Sequence, residues 1–495
     1  MARSAESEQH LPTQRRANAR LAGAGGVAMS GFGGKVAGAQ PGRFVRDHMT
    51  VATALCAFAP MLLISALGWL YADRLRPIVP IELTNLDAVK TLLKGMIHAS
   101  VRPDSWGPML RALAVLRGPD HDLLYQTLFF EGHVRFQYPP TSLLSLDLLS
   151  ALGLASVRVL NAINTVAYLL NAVATGVLLW LLFRGKGRAA ERNGFRLSAG
   201  GMAAIGVVAA FTFYPDVRAH ILGQIQVWID LLFTCAVIAW WLDRRLLAGV
   251  LIGLACTIKP QFALLLLWAL LWREWRFCRG MLAAFVPVAL VSLLRYGLPA
   301  HLGYLNVLAF LSRHGESFFA NNSVNGILNG YFSETSNMIW DPSGFPEYHP
   351  LVYAGTAAAS ILALAVIVFV PLLSRKIRPG AIDFGVAAIC TVVGSPVAWE
   401  HHYGILLPIF AIALRYGLEL PAGFQRGLLL VLLGVSWALV ANFIPFADLL
   451  AGTNWQLLQA HLFFGALLLL VLLLGRMPAG LAALADKSGS PGQRD

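Results

Sequence analysis

The stretch "DRRLLAGVLIGLACTIKPQFALLLLWALLWREWRFCR", residues 243–279, holds two apolar runs, 246–258 and 260–272, between connectors crowded with Arg. Only Lys259 and Pro260 interrupt them. Such runs recur along nearly the whole chain, many of them near the roughly 20 residues with which a helix crosses a hydrocarbon core of about 30 Å. Runs 246–258 and 260–272 are shorter, and a pair of that kind could be re-entrant. The 495 residues are 57% hydrophobic and 13% charged, about half the charge fraction of an ordinary soluble domain. With a mean hydropathy of +0.64, this composition is that of an all-α polytopic membrane protein.

Spans are expected near 51–71, 156–183, 199–214, 222–242, 246–258, 260–272, 280–295, 351–373, 381–397, 403–416, 425–443 and 457–475, about twelve helices in all. The net charge of +12 comes from short Lys and Arg clusters between spans, which reads as topogenic charge and not as a nucleic-acid surface. "RGKGRAAERNGFR", "DRR", "WREWRFCR" and "SRKIRP" alternate with charge-poor connectors near 215–221, 396–402 and 444–456. The basic set is expected to be cytoplasmic and the charge-poor set outside. This gives a disordered basic cytoplasmic tail at 1–48, a transmembrane domain at 49–476 and a cytoplasmic tail at 477–495. Two long outer loops, 72–155 and 296–350, complete it. Apolar residues at helical spacing in "LDAVKTLLKGMIHAS" and "MLRALAVLRG" suggest interfacial helices in the first loop. Cys56, Cys235, Cys256, Cys278 and Cys390 show neither a disulfide framework nor metal-ligand spacing.

The polar outliers share the outer face on this topology. They are Asp104, "FQYPP" (136–140), "YPDVRAHILGQIQ" (214–226), Lys259 with Pro260, "NNSVNG" (321–326) and "SPVAWEHH" (395–402). Each has a plainer role open to it. Lys259 could snorkel to headgroups, His401 and His402 could make structural hydrogen bonds, and Asp230 could simply pair with Gln226 four residues earlier. Together they suggest a site for something both polar and lipid-linked, since ionisable groups at membrane depth are costly and usually face a cavity. Lys259, Arg218, His220 and the imidazoles could neutralise a phosphate, while Tyr138, Trp399 and Tyr403 offer faces to a sugar or an isoprenoid.

The combination resembles glycosyltransferase family 87, integral membrane enzymes of the GT-C class that use polyprenyl-phosphate sugars. The segments carrying the resemblance are "FQYPPTSLL", "GQIQVWIDLLF" leading through "LLAGVLIGLACTIKPQFALLLL", "NNSVNGILNG" and "SPVAWEHHYGILLP", in family order over roughly 100–410. The resemblance implies a GT-C-type fold. It also aligns "DSWGPMLRALAVLRGPDHDLLY" with the family's catalytic segment, placing Asp104 at the catalytic aspartate, Gly118 at a glycine and Tyr125 at a tyrosine. The pattern departs at Pro108, where the family has Tyr, and Asp87, Asp120 and Asp122 remain open as alternatives.

The implied activity is inverting transfer of a hexosyl residue, mannosyl by family precedent with arabinofuranosyl as the rival, from a polyprenyl-phosphate sugar to a glycolipid or polysaccharide acceptor. Asp104 would be the general base. Tyr138, Gln224, Gln226, Lys259, Asn322, Asn325, Trp399, Glu400, His401 and His402 would bind substrate. No cofactor and no metal are expected, and no Gly-rich phosphate loop occurs. The partners are then the lipid-linked donor, the acceptor and the bilayer, with no nucleic acid, and the site faces the periplasmic or extracytoplasmic side of the cell membrane. The alternative is a transporter or flippase of lipid-linked sugars. No internal repeat is visible, and the polar groups cluster at one surface instead of the midplane.

Overall fold

A computed structural model describes residues 41–78, 84–98, 101–184, 198–333, 336–374 and 378–475. The expected tail 477–495 lies outside these residues, as do most of the tail at 1–48 and most of the connector at 184–198. The first helix, Pro41–Leu70, starts inside the segment expected as tail. Every regular element among the described residues is helical, with one isolated antiparallel bridge between Asn321 and Trp399.

Among the described residues, five helices are long and apolar enough to cross a membrane: Thr50–Leu70, Val157–Phe183, Trp275–His314, Pro350–Leu373 and Gln456–Leu474. A sixth crossing is formed if Ala199–Thr212 and Tyr214–Ile221, bent by 49°, count as one. The remaining expected spans are shorter. Arg245–Ile258 has 14 residues, about 21 Å at 1.5 Å per residue, and stops at Lys259.

Two expected connectors differ. The segment near 215–221 is a helix, Tyr214–Ile221, with all eight residues buried. It reads in sequence as a charge-poor connector, yet protein partners hold Asp216, Arg218 and His220 inside. The span expected to end at 295 continues as Trp275–His314 through a break at Gly297 (φ 76, ψ 162). That left-handed conformation suits glycine, and Pro299 follows in the first turn of the resumed helix, where its missing N–H costs least.

The first long loop carries the helices Asn85–His98, Trp106–Leu116 and Leu143–Ala151. Asp147 on the last is fixed by Arg117 and by Arg295 (3.1 Å), which ties the loop to the Trp275–His314 helix.

Close packing sets the spacing of the short helices. A Cβ at Gly249 would collide with the Phe277 carbonyl, and one at Gly280 with the Leu246 carbonyl. The backbones of Arg245–Ile258 and Trp275–His314 therefore touch, as small residues permit between membrane helices. Phe384 then stacks on Trp240 (5.0 Å, 8°) and Phe233 (5.7 Å, 9°) and leans on Trp268, joining Gln226–Trp241, Leu264–Leu271 and Ala381–Val393. Each helix of this group has one end beside a basic connector, at Arg244, Arg273 or Arg378. The other ends meet around one cavity.

Phe384→Ala should lower unfolding stability by about 3–5 kcal/mol, whereas Leu294→Ala, at a side chain 87% exposed, should change it little. Thermal unfolding in detergent compares the two; equal effects would remove the aromatic stack as the organiser.

Candidate active site

The cavity has a volume of about 950 Å³. It collects the ends of several elements, and the polar groups lining it include Asp104, Arg218, Lys259, Glu400, His401 and His402.

Asp104 is held by its backbone. Its N–H donates to Leu222 O (3.0 Å) and that of Arg102 to Ile221 O (3.2 Å), so residues 102–104 lie against the turn that follows Tyr214–Ile221. Gly223, at φ +66, closes that turn, and any Cβ there would strike the Arg102 carbonyl. The carboxyl Oδ2 accepts from Gln224 Nε2 (2.6 Å). Gln224 Oε1 accepts in turn from Ser105 Oγ (2.6 Å) and the Tyr138 hydroxyl (3.2 Å). The Asp104 side chain opens onto the cavity, but protein crowds its other sides. This desolvation raises its pKa from the ordinary aspartate value, opposed by the Gln224 hydrogen bond and by the charges of Arg218 and Arg102.

Lys259 caps the Arg245–Ile258 helix in extended geometry (φ −128, ψ 99), as the following proline favours. Its ammonium does not snorkel to solvent. Nζ is buried and donates to Gln226 Oε1 (2.6 Å), whose Nε2 donates to Asp230 (2.7 Å). Gln226 thus stands behind Lys259 and does not line the cavity.

Residues 400–405 form a 3-10 turn. Glu400 accepts from the Tyr214 hydroxyl (3.0 Å) and pairs with Arg218 (3.4 Å). The rings of His401 and His402 meet edge to face at 4.8 Å. Gly404 sits where a Cβ would lie 2.5 Å from a carboxylate oxygen of both Asp216 and Asp230, so the turn can pass between two buried acids only without a side chain.

Asn322 and Asn325 stand outside the lining. Asn322 accepts from Leu462 N (3.3 Å), and its own N–H donates to Ala398 O (2.8 Å). Asn325 accepts from Glu316 N (3.1 Å) and donates to Thr356 Oγ1 (3.1 Å). Their segment holds the Trp399 turn in place: Asn321 Oδ1 accepts from Ala398 N (2.9 Å) and Ala320 O from Glu400 N (3.1 Å). Tyr403 is buried, with its hydroxyl on Asn322 O, and His220 is buried against Thr165 Oγ1 (2.9 Å). Neither lines the cavity. Asp87, Asp120 and Asp122 do not line it either; Asp87 accepts from Thr84 Oγ1 (2.8 Å) and Trp69 Nε1 (3.3 Å).

Sequence reasoning missed Arg102, Arg135 and Trp340, all on the cavity. Arg135 pairs with Glu316 and lies over Trp340 (4.5 Å) and Phe345 (4.1 Å). Only its position next to "FQYPP" hinted at it. Among the described residues no group of three or more His, Cys, Asp or Glu is arranged to hold a metal ion.

Gly404→Ala should destabilise the protein by roughly 1–3 kcal/mol, as overpacking does, while Gly427→Ala, with open space around it, should not. Equal melting temperatures of the two variants in detergent would show that the turn yields freely.

The comparisons with known proteins agree on one family. The family model of glycosyltransferase family 87 matches residues 136–396, a range that takes in Tyr138, Gln224 and Lys259 and stops short of Asp104 and the 399–402 turn. A curated relative from Mycolicibacterium smegmatis, polyprenol-phosphate-mannose-dependent alpha-(1-2)-phosphatidylinositol pentamannoside mannosyltransferase, is 30% identical over 227 residues. The match covers 44% of this chain and 50% of the relative, so the chain spans about half the length of that protein. No solved structure matches. With more than half of its length matched by the family model, the chain belongs to glycosyltransferase family 87.

Proposed function

We propose that the protein is an integral membrane glycosyltransferase that moves a hexosyl residue, mannosyl by analogy with the Mycolicibacterium relative, from a polyprenyl phosphate to a glycolipid or glycan acceptor. The observation that carries this reading is that one cavity is lined both by a carboxylate open to it and by the cations Lys259 and Arg218. An acceptor hydroxyl oxygen attacks the anomeric carbon as its proton passes to Asp104. The bond from that carbon to the phosphate oxygen breaks, and the electron pair leaves on the polyprenyl phosphate. Direct displacement inverts the anomeric centre. Fixed cations beside the leaving phosphate stabilise the charge that develops there. His401, His402 and Trp399 face the same cavity and are assigned to the donor headgroup and sugar, with Glu400 holding Arg218 in place.

The GT-C class, about twelve membrane helices and interfacial placement of the first-loop helices belong to the same reading. They are supported by the short apolar helices that stop at the cavity. An extracytoplasmic site in a multi-pass cell-membrane protein is supported by Arg184, Arg244, Arg273 and Arg378, which lie at the helix ends away from the cavity, as the positive-inside rule requires of a cytoplasmic face.

Two measurements test this. In a cysteine-free background, Glu347→Cys should react with an impermeant thiol reagent applied from outside and Asp243→Cys only after permeabilisation; the reverse pattern inverts the topology. Asp104→Asn removes basicity at constant size, so turnover with a polyprenyl-phosphate mannose should fall by about 10² or more while donor binding persists. The same exchange at Asp87, Asp120 or Asp122 should do much less, and an inactive variant among those three beside an active Asp104→Asn would move the base elsewhere.

A further inference from the structure

The hydrogen bonds around Gln224 run towards Asp104 and not towards the open cavity. Its Nε2 holds Asp104 Oδ2 at 2.6 Å. Its Oε1 takes the Ser105 hydroxyl at 2.6 Å and the Tyr138 hydroxyl at 3.2 Å. Ser105 Oγ accepts from the Ile225 amide (3.1 Å) and lies 3.0 Å from the Tyr138 hydroxyl, so whichever way the bond between the two hydroxyls runs, one of their protons is left for Gln224 Oε1. That proton fixes which end of the amide meets the carboxylate; were the amide turned over, its oxygen would oppose Oδ2. Ser105 and Gln224 are both buried, which shields the bond between them from water. Asp104 Oδ1 has no hydrogen-bond partner among the described residues, and Asp104 lines the cavity.

We infer that Gln224, locked by Ser105 and Tyr138, is a positioning residue that holds Asp104 Oδ2 and leaves Oδ1 to receive the acceptor proton. This goes beyond a substrate-binding role for Gln224 and Tyr138 and rests on the reading of Asp104 as the base. The arrangement draws on three stretches of the chain. Ser105 and Asp104 are neighbours in the first loop, Gln224 belongs to the turn before Gln226–Trp241, and Tyr138 precedes the Pro139 and Pro140 pair. Misplacement of a reacting group by about 1 Å costs on the order of 10² in rate, so orientation of one carboxyl is worth this much support.

A role in positioning has a pH signature that a structural role lacks. The groups facing Asp104 are Gln224, the cation Arg218 from Tyr214–Ile221, the cation Arg102 on its own loop, and the Tyr138 phenol. The Gln224 N–H favours the ionised carboxylate, so its loss raises the pKa of Asp104. Since the base works only when ionised, the acid limb of the kcat profile then moves to higher pH.

Gln224→Leu should lower kcat by about 10-fold to 10²-fold, leave the donor KM within about twofold, and shift that acid limb upward. The double variant Ser105→Ala with Tyr138→Phe keeps Gln224 but frees its amide to turn, and should shift the limb the same way. A raised donor KM with the limb unmoved would make Gln224 a substrate contact and overturn the inference. Loss of kcat with the limb unmoved in both variants would make the network structural and overturn it equally. If Asp104→Asn retains turnover, the base reading fails and this inference with it; if Asp104→Asn is inactive while the limb stays in place, the inference alone fails.

Discussion

The backbone hydrogen bond from Asp104 to Leu222 joins the first long loop to the break between two buried helices. Arg218, Glu400, Gln224 and Lys259 are all tied to that seam. Tyr214–Ile221 contributes Arg218 and, through Tyr214, the support of Glu400. The turn at Gly223 brings Gln224 to Asp104, and the helix that follows carries Gln226 to Lys259. In an apolar chain, backbone released from helix geometry must find partners inside the protein. The break therefore exists only because the 102–104 segment satisfies it, and the loop is ordered only because the break receives it.

The remaining wall depends on a second exchange of the same kind. The 316–326 segment offers side-chain amides to the 396–400 backbone, and the bridge between Asn321 and Trp399 is the one piece of extended pairing among the described residues. Arg135 closes the rim from the other side by filling the space between two aromatic rings and an acid. Charge on this protein is thus used in pairs or through intermediaries, which is how ionisable groups persist away from water.

Sequence reading went furthest where chemistry is expensive. Lys259, Glu400 and the two histidines were conspicuous because charge amid apolar runs needs a reason, and they share the cavity with Asp104. Family pattern picked out Asn322 and Asn325, whose side chains bond Leu462 N, Glu316 N and Thr356 Oγ1; an amide that binds a sugar and one that clamps a loop are written with the same letter. The burial of Tyr214–Ile221 was illegible because its charged residues match the composition of a connector. Arg135 and Glu316 are 181 residues apart, and no local pattern announces such a contact. Several expected spans are helices shorter than a full crossing for a related reason: apolar composition identifies them, but only the cavity explains where they stop.

The brevity of Arg245–Ile258 and Leu264–Leu271 bears on biogenesis. At 14 and 8 residues they reach about 21 Å and 12 Å, less than the roughly 30 Å of a hydrocarbon core. Neither can be released into lipid as an independent unit without leaving its polar end, marked by Lys259, in the acyl region. They must instead leave the insertion machinery in company, with Trp275–His314 already against Gly249. The order of synthesis places that long partner last, so residues 245–271 wait for it, and the cavity is completed only when the chain has been made well past its centre.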